Sequence, residues 1–201
     1  MSEAAKRKLT RVERNEEVRS RLFHAAAQIV GERGYAETSI VRIIERAGVA
    51  LGTFYKHFAT RQALLDELLP AIGREMVDFI QARVDSSKPE RDREIARFTG
   101  FFEYLAENPG FLRILNEAEF AAPAAFHAHL DFINARYVGL LKRGRARGEV
   151  GDFSDLELEA VVHMLMGARS YLSQRYGPDA GGKQAVFSAY AKLLERGLFT
   201  G

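Results

Sequence analysis

The sequence predicts an all-α protein of about nine helices. Three observations carry that prediction. No stretch of the 201 residues alternates apolar and polar side chains as a half-buried strand must. Apolar residues recur at helical spacing instead, as in Val18, Leu22, Ala25, Ile29 and in Ile95, Phe98, Phe102, Leu105. Residues that start and stop helices fall between these runs.

Taken in order, the helices are expected at about 15–33, 39–46, 50–57, 61–84, 89–107, 109–118, 123–147, 154–176 and 183–197. Gly34 and Gly48 can each supply the left-handed residue past a helix end. Thr60 can cap a helix beginning at Arg61. Asn108-Pro109 places a cap residue before Pro at a first helical position. Ser154-x-x-Glu157 has the form of a reciprocal capping box. Pro70 falls inside the fourth helix and predicts a kink there.

Composition narrows the function. The chain has no Cys, which excludes disulfide scaffolds, thiolate metal sites and Cys nucleophiles, and suits the cytoplasm. No apolar run approaches the roughly 20 residues that span a bilayer, so no membrane role is expected. Met1 to Arg14 is polar and basic, unlike a secretory signal, and reads as a flexible basic arm. The first 61 residues carry twelve Lys/Arg against seven Asp/Glu; the remainder carries seventeen against twenty. A basic first third on an acidic remainder points to an anionic partner at one end.

The enzyme motifs fail on inspection. Gly177 to Lys183 has the spacing of a phosphate-binding loop, but Gln184 stands where a Ser or Thr would hold Mg²⁺, and a helix precedes it. His127 and His129 are two apart on a helix and point to different sides, so no metal site is expected. No G-x-S-x-G elbow is present.

Residues 38–58 carry the sharpest signal. Two short helices flank Ala47-Gly48-Val49, which is helix-turn-helix anatomy. Ile40, Ile43, Ile44, Val49, Phe54 and Phe58 can form a small core with the first helix. The second short helix then offers Leu51, Gly52, Thr53, Tyr55, Lys56 and His57 outward. That set mixes donors, a cation and an aromatic ring, as a groove-reading surface requires.

From about Asn15 to Leu69 the residue order resembles the tetracycline-repressor (TetR) family of bacterial transcriptional regulators. The resemblance rests on Gly34-Tyr35, Thr38-Ser39, Ile43-x-Glu45-Arg46-Ala47-Gly48-Val49, Gly52 through Phe58, and Arg61-x-Ala63-Leu64-Leu65. It implies a DNA-binding domain at 15–60 followed by a ligand-binding and dimerisation domain at 61–201. It further implies phosphate contacts from Thr38 and Ser39, backbone and base contacts from Thr53 and Tyr55, and phosphate or base contacts from Lys56 and His57. Arg61 occupies the place of the family's phosphate-contacting Lys, and Gly52 lets the second short helix approach DNA closely. Leu51 departs from the polar or basic residue common in the family. It can pack on a thymine methyl, or leave base reading to Thr53, Tyr55 and Lys56.

The remaining two-thirds is expected to sense a small molecule. Seven of the fourteen Phe lie between Phe98 and Phe132 and can line a pocket or fill a core. The expected pocket residues are Phe102, Phe120 and Phe126, with Met164 opposite, and the expected ligand is apolar or amphipathic. Glu117, Glu119, His127, Asn134 and Arg169 are the polar anchors at hand. Val161, Leu165, Gly167, Ala168 and Leu172, with Val186, Ala189 and Leu193, are expected to form a homodimer interface. A two-fold dimer would set two recognition helices on a near-palindromic duplex site. The resulting expectation is a repressor that a ligand releases from its operator, with no cofactor. A ligand-dependent activator or co-repressor system, and a helical binding protein without DNA function, are the competing readings.

Overall fold

The computed structural model describes residues 10–176 and 182–199. Nine α-helices are present among them: α1 (Arg11–Arg33), α2 (Ile40–Ala47), α3 (Leu51–His57), α4 (Arg61–Gln81), α5 (Glu90–Glu107), α6 (Phe111–Ala121), α7 (Pro123–Ala146), α8 (Asp155–Tyr176) and α9 (Lys183–Gly197). A single antiparallel bridge joins Val150 and Phe199, and no strand occurs among the described residues. Lys6, Arg7 and Lys8 of the expected arm, and most of the 177–183 loop, lie outside the described residues.

Two helix starts differ from the sequence reading. α1 begins at Arg11, inside the expected arm, because Thr10 caps it: Glu13 N–H donates to Thr10 Oγ1 at 3.2 Å and Thr10 N–H donates to Glu13 Oε2 at 2.7 Å. Pro109 does not open α6. Asn108 instead closes α5, its N–H and Nδ2 both donating to the Tyr104 carbonyl, and α6 starts at Phe111. Two other caps form as expected, with Thr60 Oγ1 accepting from Ala63 N–H at 3.0 Å and Ser154 pairing reciprocally with Glu157. α4 runs on through Pro70, which has no N–H to give the Asp66 carbonyl.

The chain divides into two compact units, with the boundary inside α4. The first contains α1 to α3, α4 as far as Ile72, and α6. This differs from the expected break at residue 60. α6 belongs here because Gly31 and Gly110 bring their backbones together, leaving only 2.7 Å between a Cβ added at either and the other's Cα. Arg113 then donates to the Glu32 carbonyl at 2.8 Å, and Glu117 accepts from Tyr35 N–H at 2.8 Å. Leu22, Ile29, Ile43, Phe54, Phe58 and Leu64 are among its fully buried core residues.

The second unit contains the rest of α4 with α5, α7, α8 and α9. Phe98 stacks on Tyr190 with ring centroids 3.7 Å apart, and Phe102 and Phe187 close the same cluster. Beside it lies a buried polar network. Glu94 accepts from Tyr190 OH at 2.7 Å and pairs with Arg97 and Arg169, while Glu90 pairs with Arg97 at 2.8 Å. The pairing is what makes burial of these carboxylates tolerable. Glu90, Glu94, Arg97 and Phe101 stand at i, i+4, i+7 and i+11, so their place on the inner face of α5 follows from spacing.

Candidate nucleic-acid interface

The first unit builds a rigid helix-turn-helix. Ser39 caps α2 by accepting from Arg42 N–H. At the turn Gly48 takes φ 63° and ψ 42°, a left-handed conformation that costs a glycine nothing. Val49 N–H closes the turn on the Ile44 carbonyl at 3.0 Å. From α1, Arg21 Nη2 caps the same end by donating to the Ala47 and Gly48 carbonyls. Phe54 and Phe58 are buried against each other and against Phe23, fixing the rotation of α3 about its axis.

That rotation leaves one face of α3 to solvent. Leu51 and Tyr55, one turn apart, are 49% and 53% exposed. Gly52 and Lys56 are exposed, and Thr53 and His57 are partly so. No heavy atom lies within 4 Å of where a Gly52 Cβ would sit, so a partner can reach the backbone there. α3 has Ala50 at its cap position and no side-chain cap, which leaves its first N–H groups without a side-chain acceptor.

A cleft of about 600 Å³ lies between the start of α1 and the end of α3, lined by Arg11, Asn15, Glu16, Arg19, Lys56 and His57. Arg11 and Lys56 give it positive character against Glu16, while Arg19 is also paired with Glu67. Burial, with the Arg19 and Lys56 charges adding to it, holds the His57 pKa below the ordinary histidine value. Sequence reasoning put Arg11 in the basic arm rather than on a helix and missed Asn15 here, although the Thr10-x-x-Glu13 capping pattern could have placed both on a helix.

Two residues expected at phosphates are bonded within the fold. Thr38 is fully buried and its hydroxyl donates to the Gly34 carbonyl at 2.9 Å. Arg61 donates from Nε to the Thr38 carbonyl and from Nη2 to the Tyr35 carbonyl. Both residues hold the α1–α2 connection in shape. Ser39 remains exposed at the start of α2.

Residues 22–68 match the family described as bacterial regulatory proteins, tetR family. Those residues carry the helix-turn-helix segment of that family. The HTH-type transcriptional repressor KstR2 of Mycobacterium tuberculosis is 28% identical over 172 residues, covering 81% of this chain and 82% of that protein. Among solved structures, a TetR-family regulator from Pectobacterium atrosepticum is 26% identical, with a TM-score of 0.70 over 96% of this chain and 99% of the other. FadR from Bacillus subtilis, solved in complex with stearoyl-CoA, shares the fold at 18% identity, with a TM-score of 0.73 over 89% and 98%. By these matches this chain is a DNA-binding transcriptional regulator and not an enzyme.

The second unit rearranges the expected ligand and interface residues. Phe102 is buried in the aromatic cluster and Phe126 is partly buried. Phe120 is 85% exposed and belongs to the first unit, so it lines no interior pocket. Met164 is 69% exposed and lines none either. It joins Leu156, Ala160, Gly167 and Tyr171 in an exposed stripe at i, i+4, i+8, i+11 and i+15 of α8. Leu165 lies opposite, buried with Leu158 and Val162, and belongs to the core. α8 is apolar on two faces, so periodicity could not say which was covered. Val161, Ala168 and Leu172 are partly buried, Gly167 is exposed, and on α9 Val186 is partly buried while Ala189 and Leu193 are exposed. Of the polar anchors, Glu117 is tied to Tyr35 N–H and Arg169 to Glu94.

No helix among the described residues is long and apolar enough to cross a membrane. No cluster of three His, Asp or Glu that could hold a metal occurs among them.

Proposed function

We propose that this TetR-family regulator is a cytoplasmic repressor that binds a near-palindromic operator as a homodimer and leaves it when a small molecule binds. The observation that carries the reading is the face of α3 held outward by Phe54 and Phe58. Leu51, Gly52, Thr53, Tyr55, Lys56 and His57 form the DNA surface, with Ser39 at a phosphate beside the start of α2. The cationic cleft adjoining Lys56 supports an additional phosphate seat.

The exposed stripe of α8 with Leu193 of α9 supports dimerisation through those helices. The ligand is apolar or amphipathic and binds among the helices of the second unit. The likeness to FadR, solved with stearoyl-CoA, supports an acyl chain or acyl thioester as its class. α4 runs through both units and is the element through which binding would act on the spacing of the two recognition helices. A ligand that prefers the spacing unable to span both half-sites lowers operator affinity by its differential affinity for the two states.

Selection of bound fragments from sheared host DNA, with affinities measured at several salt concentrations, tests this. An enriched near-palindrome with steep salt dependence is expected. Tyr55→Ala with Lys56→Ala should cost at least about tenfold in affinity and flatten the salt slope by about two units for a dimer, leaving the dimer intact. Failure to enrich any sequence after co-purified small molecules are removed would overturn the reading. Tighter binding on adding an acyl ligand would reverse the sign of regulation.

A further inference from the structure

We propose that Leu51 recognises the 5-methyl group of a thymine in each operator half-site. The inference rests on α3 being the recognition helix and assigns the base that its first turn reads. In helix-turn-helix docking, the N-terminal residues of the recognition helix meet the base edges. Here that end presents an isobutyl group. Leu51 opens α3 and is 49% exposed, while Phe54 is the fully buried residue of the helix. Gly52 beside it carries no side chain and has open space around it, so the backbone can come close and seat Leu51 deep in the groove.

At that end the only other side chain is Thr53, which is shorter and less exposed than Leu51. α3 reads Leu-Gly-Thr-Phe-Tyr-Lys-His. It contains no Arg, Asn or Gln to grip guanine or adenine with two hydrogen bonds, and no carboxylate to accept from cytosine. Its cation, Lys56, and His57 stand at the far end and line the cleft with Arg11 and Arg19, where a phosphate is the fitting partner. Arg42 and Arg46 of α2 are held by Glu37 and by Glu32 at 2.8 and 2.6 Å. An apolar side chain in the major groove finds one apolar partner on unmodified base pairs, the thymine methyl. Tyr55, one turn on and 53% exposed, extends the same apolar surface along the groove.

The test replaces each thymine of the selected operator by deoxyuridine, symmetrically in both half-sites. This deletes the methyl and keeps base pairing. Wild type and Leu51→Ala are compared. Burying one methyl is worth about fourfold per half-site, or about fifteenfold over the two half-sites a dimer contacts. One thymine position should show that loss in wild type and little or none in Leu51→Ala, whose thermal unfolding should match wild type. If wild type is indifferent at every position, if Leu51→Ala keeps the full loss, or if the half-site holds no thymine, the inference is overturned. Should wild type select no operator at all, the reading of α3 as the recognition helix falls first.

Discussion

Removing the Arg61 side chain should unfold the DNA-binding unit more than it weakens phosphate contact. Arg61 opens α4, and its guanidinium donates to the Tyr35 and Thr38 carbonyls. Those carbonyls belong to the connection that sets α2 on α1, and Thr38 within it is fully buried. A hydrogen bond from a charged donor is worth roughly 1.5–3 kcal/mol. Arg61 is part-exposed, so the lower value fits each bond, and two give about 3 kcal/mol. That is over a hundredfold in the folding equilibrium constant. Urea unfolding followed by circular dichroism should show Arg61→Ala losing about that much with its m-value unchanged. Arg61→Lys should recover only part, since an ammonium cannot serve two diverging carbonyls with one planar fork. Among molecules that remain folded, the salt slope of operator binding should be close to wild type. A variant of unchanged stability whose slope falls by about one unit per protomer would refute the reasoning and return Arg61 to the DNA backbone.

Four other perturbations have worked outcomes. His129 is buried against Gly73, and burial pushes its pKa down from 6.5 to about 4. Between those values the unfolded chain holds a proton that the folded chain does not, so stability is full above pH 6.5 and falls by about 3 kcal/mol towards pH 4. His129→Gln should remove this component of the acid limb in pH-dependent denaturation; an unchanged limb would show that other groups carry it. Gly31→Ala places a Cβ 2.7 Å from the Gly110 Cα, and either helix α1 or α6 must give, at about 1–3 kcal/mol. A melting temperature equal to wild type would show that the approach is looser. Met164→Glu with Leu193→Glu charges the exposed faces of α8 and α9 and should yield folded monomers by light scattering, whereas Leu165→Ala should destabilise the second unit by about 2–5 kcal/mol and leave assembly alone. A persistent dimer in the double variant would place the interface elsewhere.

The sequence by itself determined the helices, because caps and apolar periodicity are local. Ser39, Gly48, Thr60 and Ser154 each act through backbone groups within four residues, and each does in the structure what its neighbourhood dictates. The helix-turn-helix was legible for the same reason, since Gly48 and the apolar Phe54 and Phe58 mark its turn and its buried side, whereas the half-exposure of Leu51 and Tyr55, at i−3 and i+1 from Phe54, was set by the tertiary structure. Tertiary structure decided what covers each apolar face and what each charge meets. Nothing local distinguishes the buried Leu158–Val162–Leu165 stripe of α8 from its exposed Leu156–Met164–Tyr171 stripe. Nor could spacing show that Arg61 is bound to carbonyls of the α1–α2 connection, or that Gly31 and Gly110 bring α6 into the DNA-binding unit. Periodicity specifies which side of a helix avoids water, while the partner that excludes the water comes from a distant part of the chain.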